Sequence, residues 1–288
     1  MINWLPFLLF VSGLAVGSFL NVLTLRYDPD GAGFGKAFHG RSHCPNCKKT
    51  LRWYELIPVL SFLFQLGRCR SCKTSLSWQY PLVELASGFV FLIPLYLYSP
   101  IKPTMYFSIE SVVWVLAFLL FIVVWLIDFR LYIIPDEVNI ALAGLGLVLI
   151  GAQGYYGQFG QFDGSFIGGI ANIFGLRESV WVNHIVAAIA AVIFLGLIIF
   201  ISKGRAMGMG DLKLLGALGL LFGWPDVLFI AAFAFILGSI MSIYLIFLRK
   251  LKMKDAVPFG PFLVLAAMII FVWGKPILES YFRFFNLV

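Results

Sequence analysis

An all-α polytopic membrane protein is predicted by three observations: 61% of the residues are hydrophobic, only 12% are charged, and the apolar residues gather in long uncharged runs. Soluble domains carry about 25% charged residues. A chain of 288 residues with half that share cannot hide its apolar surface in one water-soluble core, so the bilayer is its solvent. About eight transmembrane helices are expected, at 4–25, 81–98, 111–129, 138–154, 183–202, 211–224, 226–247 and 259–280. Most approach the roughly 20 residues that a helix needs to cross the hydrocarbon. The sixth is short and glycine-rich, and the turn at Gly223-Trp224-Pro225-Asp226 separates it from the seventh.

The first stretch, 1–25, has no basic leading segment and reads as a retained span, not a cleavable signal. Orientation follows from Lys and Arg, which concentrate on the cytoplasmic side of a membrane. With the N-terminus outside, all but four of the 21 basic residues fall on inner segments; the exceptions are Lys102, Arg177, Lys275 and Arg283. The net charge of +7 therefore points to lipid headgroups and not to nucleic acid. Residues 26–80 become a cytoplasmic subdomain, and 81–288 the main transmembrane domain. An outer loop at 155–182, rich in Gly and aromatic residues, suits the membrane interface.

All four cysteines lie in the 26–80 segment, as CPNC (Cys44, Cys47) and CRSC (Cys69, Cys72), with 21 residues between the pairs. A CxxC turn aims two thiolates at one point, and two turns complete a tetrahedron. The cytoplasm is reducing, which disfavours structural disulfides. A structural zinc follows, with no open coordination position; two unligated or redox pairs are the alternative. His39 and His43 then read as surface residues, because four sulfurs fill the shell.

Asp128 closes the third span, where an unpaired carboxylate beside hydrocarbon marks function or a specific pairing. Asp136 follows Pro135 and suits the N-cap of the fourth helix. Asp211 stands in GMGD at the mouth of the sixth span, where Gly208 and Gly210 allow a tight turn and a close backbone approach. Helix capping is the alternative for Asp211. Asp128 and Asp211 come from separate segments and reach the same predicted face. Two carboxylates at close range share one proton, which supplies the acid and the base for attack of water on a peptide carbonyl. His184 is predicted on the opposite side, so no Ser/His/Asp arrangement competes.

These residues resemble the bacterial prepilin peptidases, the type IV leader peptidase family of GxGD aspartic proteases. The resemblance runs through GSFLNVLTLR (Gly17–Arg26), the two CxxC turns, GRCRSC, YPLVEL (Tyr80–Leu85), DFRLYIIPDEV (Asp128–Val138), GMGDLKLLGALG (Gly208–Gly219) and VPFGPFL (Val257–Leu263). It implies an inner-membrane enzyme that removes the basic leader from type IV prepilins or type II secretion pseudopilins, typically between Gly and Phe. It implies Asp128 and Asp211 as the catalytic pair, and N-methylation of the new terminus with S-adenosylmethionine. In the family, methylation is tied to the cysteine-bearing region and to a Gly-Lys before the second CxxC. Here Gly67-Arg68 stands in that place, and Arg is not equivalent to Lys in detailed contacts. The 155–182 loop is longer than the family pattern, and no GxGxxG turn marks a Rossmann-type donor site. Two readings compete: a small transporter using membrane-edge carboxylates, and a non-catalytic, zinc-stabilised membrane scaffold.

Overall fold

A computed structural model describes residues 4–31, 33–35, 37–38, 40–97, 109–155, 165–167, 179–205, 207–249 and 255–284. His39 and most of the 155–182 loop lie outside the described residues. The chain forms two compact units, residues 1–123 and 124–288. Regular structure among the described residues is helical, with three isolated bridges and no strand.

The first unit begins with α1 (Leu5–Leu25), whose early proline sits where a helix lacks an N–H partner anyway. After α1 come a 3-10 turn at Trp53–Leu56, the short helix α2 (Leu60–Phe64), α3 (Gln79–Val90) and α4 (Ile93–Tyr96). The frame of this unit is α1 packed along α3. A Cβ on Gly17 would stand 2.7 Å from the Glu84 Cα, so the two helix backbones nearly touch, as small residues permit.

Six further helices follow among the described residues: α5 (Ile109–Leu131), within which the boundary between the units falls, α6 (Asp136–Tyr155), α7 (Val180–Ser202), α8 (Met209–Phe222), α9 (Asp226–Phe247) and α10 (Gly260–Phe284). Pro135 separates α5 from α6, because proline cannot continue a helix. Left-handed Lys203 and Gly204 end α7, with the Gly204 amide returning to the Ile199 carbonyl at 2.9 Å, a cap of the Schellman type.

Each predicted segment contains helix, with 81–98 split between α3 and α4, but among the described residues six helices are long and apolar enough to cross a membrane: α1, α5, α6, α7, α9 and α10. The count of eight spans is therefore approximate. At 1.5 Å per residue, α3 rises about 18 Å and α8 about 21 Å, against a hydrocarbon core of about 30 Å. The brevity of α8 has a packing explanation. It lies between α6 and α7, and nine of its 14 residues are buried. A Cβ on Gly219 would come 2.7 Å from the Ala188 Cα, and one on Gly146 of α6 2.8 Å from the Leu220 Cβ. The glycine-rich composition of α8 is that of a central helix held by close backbone contact, not of a lipid-facing one.

The C-terminal end of α8 is tied by buried polar groups. The Asn183 amide brackets the following turn, accepting from the Trp224 N–H at 2.9 Å and donating to the Trp224 carbonyl at 2.8 Å. His184 Nδ1 lies 2.8 Å from the Leu220 carbonyl, at the end of α8 away from Asp211, as its predicted placement required. Asp226 is fully buried and accepts from Ser165 Oγ at 2.8 Å and the Phe166 N–H at 3.0 Å. The described part of the long loop is thus packed into its unit: the Phe166 ring meets Phe222 and Phe271, and Ile167 is fully buried.

Candidate active site and metal centre

Asp128 occupies the last turn of α5 and Asp211 the first turn of α8. Both are buried, with 4% and 9% of their surface exposed, and a buried carboxylate needs hydrogen-bond donors. The amide of Gly260, at the start of α10, donates to Asp128 Oδ2 at 3.0 Å. The amide of Gly208 donates to Asp211 Oδ2 at 3.1 Å. Each carboxylate therefore sits at the positive end of a helix, where backbone N–H groups favour an anion. Asp211 reaches back to cap its own helix in the manner of a capping-box residue, so the capping role is present alongside any chemical one.

The two carboxylates share a neighbourhood. One residue links their surroundings. A Cβ on Gly210 would stand 3.2 Å from the Ile134 Cβ, and a Cβ on Gly260 would stand 3.0 Å from the Ile134 Cδ1. Buried Ile134 thus wedges between the glycines that flank the two aspartates. A side chain at Gly210 would press on Ile134, which would have to give by a few tenths of an ångström. Gly208 has an ordinary φ of −85°, and a Cβ there would rest 3.5 Å from Asp211 Oδ2, so space inside the chain does not demand a glycine at that position.

Sequence reasoning missed the part played by Gly260, although a glycine between Phe259 and Pro261 at a helix start is a visible signal. A Cβ at Gly260 would lie 2.7 Å from Asp128 Oδ2, too close without displacing the carboxylate. Gly260→Ala is expected to lower the activity of the site by about 10- to 100-fold, since a misplacement of about 1 Å has effects of that size. The kcat/KM of the purified variant checks this; an unchanged value would separate Gly260 from the site.

Asp136 opens α6, and its two oxygens both accept from Lys213 Nζ at 2.8 Å. This pair joins α6 to α8 across 77 residues, so Lys213 has a protein partner where lipid headgroups were expected. With 62% and 45% of the two side chains exposed, the pair contributes at most about 1 kcal/mol. Asp136→Asn should therefore lower activity much less than Asp128→Asn in the same assay; equal losses would move Asp136 into the reacting set.

The four cysteines converge in the first unit, all within 4.8 Å of one another and none in a disulfide. The two turns are copies. Cys44 N–H bonds the Lys49 carbonyl and Lys48 N–H the Cys44 carbonyl, both at 3.0 Å; Cys69 with Thr74, and Lys73 with Cys69, repeat this at 2.8 and 2.9 Å. Lys48 and Lys73, which follow the second cysteine of each pair, share a left-handed φ of 58°. Four sulfurs tetrahedral about one ion, with bonds of about 2.3 Å, would stand about 3.8 Å apart. Cys44 Sγ and Cys72 Sγ are 3.8 Å apart.

The electrostatics fit a cation as well. Hydrogen bonds from the Thr74 hydroxyl and amide hold the Cys72 thiol down at about 5. Amide hydrogen bonding from Cys47 lowers Cys44. Cys47, despite an amide hydrogen bond at Lys49, is pushed up to about 11 by desolvation and by the neighbouring sulfurs Cys44 and Cys72. Negative charge crowded in this way is relieved by a positive ion. The four cysteines can hold one metal ion as a closed set. His43 is exposed, leaving the shell to sulfur. Gly67, at φ +66°, turns the chain over the Phe62 ring into the second CxxC, and Arg68 points to solvent.

Comparison with known proteins follows this geometry. Residues 11–98 match the family model for the bacterial peptidase A24 N-terminal domain, and residues 114–243 match that of the type IV leader peptidase family. The chain is 30% identical to a prepilin leader peptidase/N-methyltransferase of Aeromonas hydrophila, over 96% of its length and 94% of that protein. It is 29% identical to one from Stutzerimonas stutzeri, over 96% and 93%, and 30% identical to one from Burkholderia pseudomallei, over 92% and 84%. No solved structure matches the chain. On residues matched across nearly its whole length, the chain belongs to the type IV leader peptidase family.

Proposed function

We propose that this protein is a membrane aspartyl endopeptidase that removes the leader from type IV prepilins or pseudopilins and then methylates the new N-terminal amine. The observation that carries the reading is the pair of buried carboxylates, Asp128 and Asp211, each held by a helix-start amide, in a chain of the leader peptidase family. The family match disfavours the transporter and scaffold alternatives.

For cleavage, one carboxyl group of the pair carries a proton and the other is ionised. The ionised carboxylate takes a proton from water as the water oxygen bonds to the scissile carbonyl carbon, while the protonated partner hydrogen-bonds the carbonyl oxygen. Collapse of the tetrahedral centre breaks the C–N bond, and the amine leaves with a proton returned by the pair. Gly208 and Gly260 hold each carboxylate through one oxygen, which fixes the pair before substrate arrives.

The topology suits this substrate class. In the bacterial inner membrane with the N-terminus outside, residues 26–80 are cytoplasmic, and both aspartates lie near the cytoplasmic surface, where a prepilin leader joins its apolar helix. Apart from Lys213, which pairs with Asp136, the basic residues of that face suit anionic lipid. Residues 26–80 form the methyltransferase-associated subdomain and 81–288 the peptidase domain, with the 155–182 loop outside. Zinc is the ion suited to Cys44, Cys47, Cys69 and Cys72, with a structural role. S-Adenosylmethionine supplies the methyl group when bound.

Mass spectrometry of a prepilin co-expressed with the protein tests this reading. The expected product begins at the residue after the cleaved Gly and carries one methyl group. A pilin that keeps its leader would contradict the peptidase assignment, and a cleaved but unmethylated terminus would contradict the second activity.

A further inference from the structure

Beside the cysteine cluster, the first unit contains a cavity of about 370 Å³, within the range of small-molecule sites. Its walls differ in chemistry. Cys44 and Cys69 contribute buried sulfur, Phe62 and Tyr80 aromatic surface, Arg26 and Lys48 positive charge, and Glu84 a carboxylate from α3. Among the described residues of the first unit, Glu84 is the one buried charged side chain, with 7% of its surface exposed.

Its local partners are few for a buried anion. Glu84 Oε2 accepts from the Val59 N–H at 2.7 Å, and Ser18 lines the same cavity. A carboxylate accepts about four hydrogen bonds when ionised, and burying its charge is unfavourable without a positive partner. Val59 has a φ of +60°, an uncommon conformation for a β-branched residue that tends to occur at functional sites. Glu84 therefore holds a strained turn on one side and faces a cavity of ligand size on the other.

We infer that this cavity binds the methyl donor and that Glu84 recognises the positive charge of its sulfonium. The inference rests on the methyltransferase reading and locates it in the chain. It gives the metal site a purpose, since Cys44 and Cys69 wall the same cavity and a closed tetrahedron would keep that wall rigid. It also explains how a donor site exists without a Rossmann turn: the pocket is built from the α1–α3 helix pair and a cysteine-rich loop.

The test uses the full chain in nanodiscs, titrated calorimetrically with S-adenosylmethionine and, separately, with its uncharged thioether product S-adenosylhomocysteine. The wild type is expected to bind both. Glu84→Gln keeps an oxygen for the Val59 amide but removes the charge, so it should weaken S-adenosylmethionine binding by about tenfold or more and the thioether by much less. Metal content unchanged from wild type verifies that the loop has folded. Val22→Trp, which fills the cavity from α1, should exclude both ligands with the metal retained. If the wild type binds both ligands and Glu84→Gln leaves their relative affinities unaltered, the assignment of Glu84 is overturned. If Val22→Trp binds as the wild type does, the cavity is the wrong place. A wild type that binds neither ligand and methylates no pilin would instead overturn the methyltransferase reading itself.

Discussion

Asp128→Asn and Asp211→Asn should each abolish prepilin cleavage, lowering the rate by about 10³-fold or more. Asparagine retains the shape of aspartate and a carbonyl oxygen, so the Gly260 and Gly208 amides keep their acceptors. What disappears is the ability to take a proton from water or return one to the leaving amine. Removing a buried charge also relieves desolvation, so the variants should remain folded, which a thermal melt in detergent can verify. The loss is then chemical. A cleaved, unmethylated pilin offered to either variant should still be methylated, because the proposed donor site lies among other residues. Cleavage within tenfold of wild type by either variant would remove that residue from the reacting pair.

The metal centre should have the second large effect, on the other activity. Cys44 and Cys69 are buried, with 2% and 4% of their surface exposed, and each begins one of the duplicated turns. Cys69→Ser should reduce the metal content from about one ion per chain to none. Zinc bound to four thiolates provides about 10–16 kcal/mol of apparent folding energy in small zinc domains, more than the core of a short loop supplies. Without it, residues 40–77 should become protease-sensitive and methyl transfer should be lost, while prepilin cleavage continues. Metal analysis, limited proteolysis and pilin mass spectrometry report these three outcomes separately. A metal-free protein with an intact loop and normal methylation would refute the structural-metal account.

The contrast between these two sites reflects what was legible in the chain. Local patterns carried far: apolar runs located the helices, and the CxxC spacing placed four sulfurs together. Span length was less legible, because α8 is short for a reason that lies in α6 and α7. What Gly219 and Gly146 are for is visible only with their neighbours, Ala188 and Leu220, in place. The immediate support of the aspartates was hidden by distance along the chain. Gly260 donates to Asp128 across 132 residues, and no periodicity within either segment encodes that contact. Lys213 looked like a lipid-facing charge because its partner, Asp136, lies on another helix. Ile134 carries no chemistry, and its place between Gly210 and Gly260 is purely a matter of packing. Glu84 stood inside the YPLVEL motif without a role until Val59, Ser18 and the cavity surrounded it.

Whether Asp128 and Asp211 act as one unit is the central claim, and the most direct measurement is the cleavage rate of the Asp128→Asn, Asp211→Asn double variant against each single variant. Groups that serve one step are strongly non-additive. The double variant should therefore cleave a prepilin in nanodiscs no more slowly than the slower single variant. Losses that multiply, so that the double variant is slower by the product of the two single effects, would show independent roles and contradict the account.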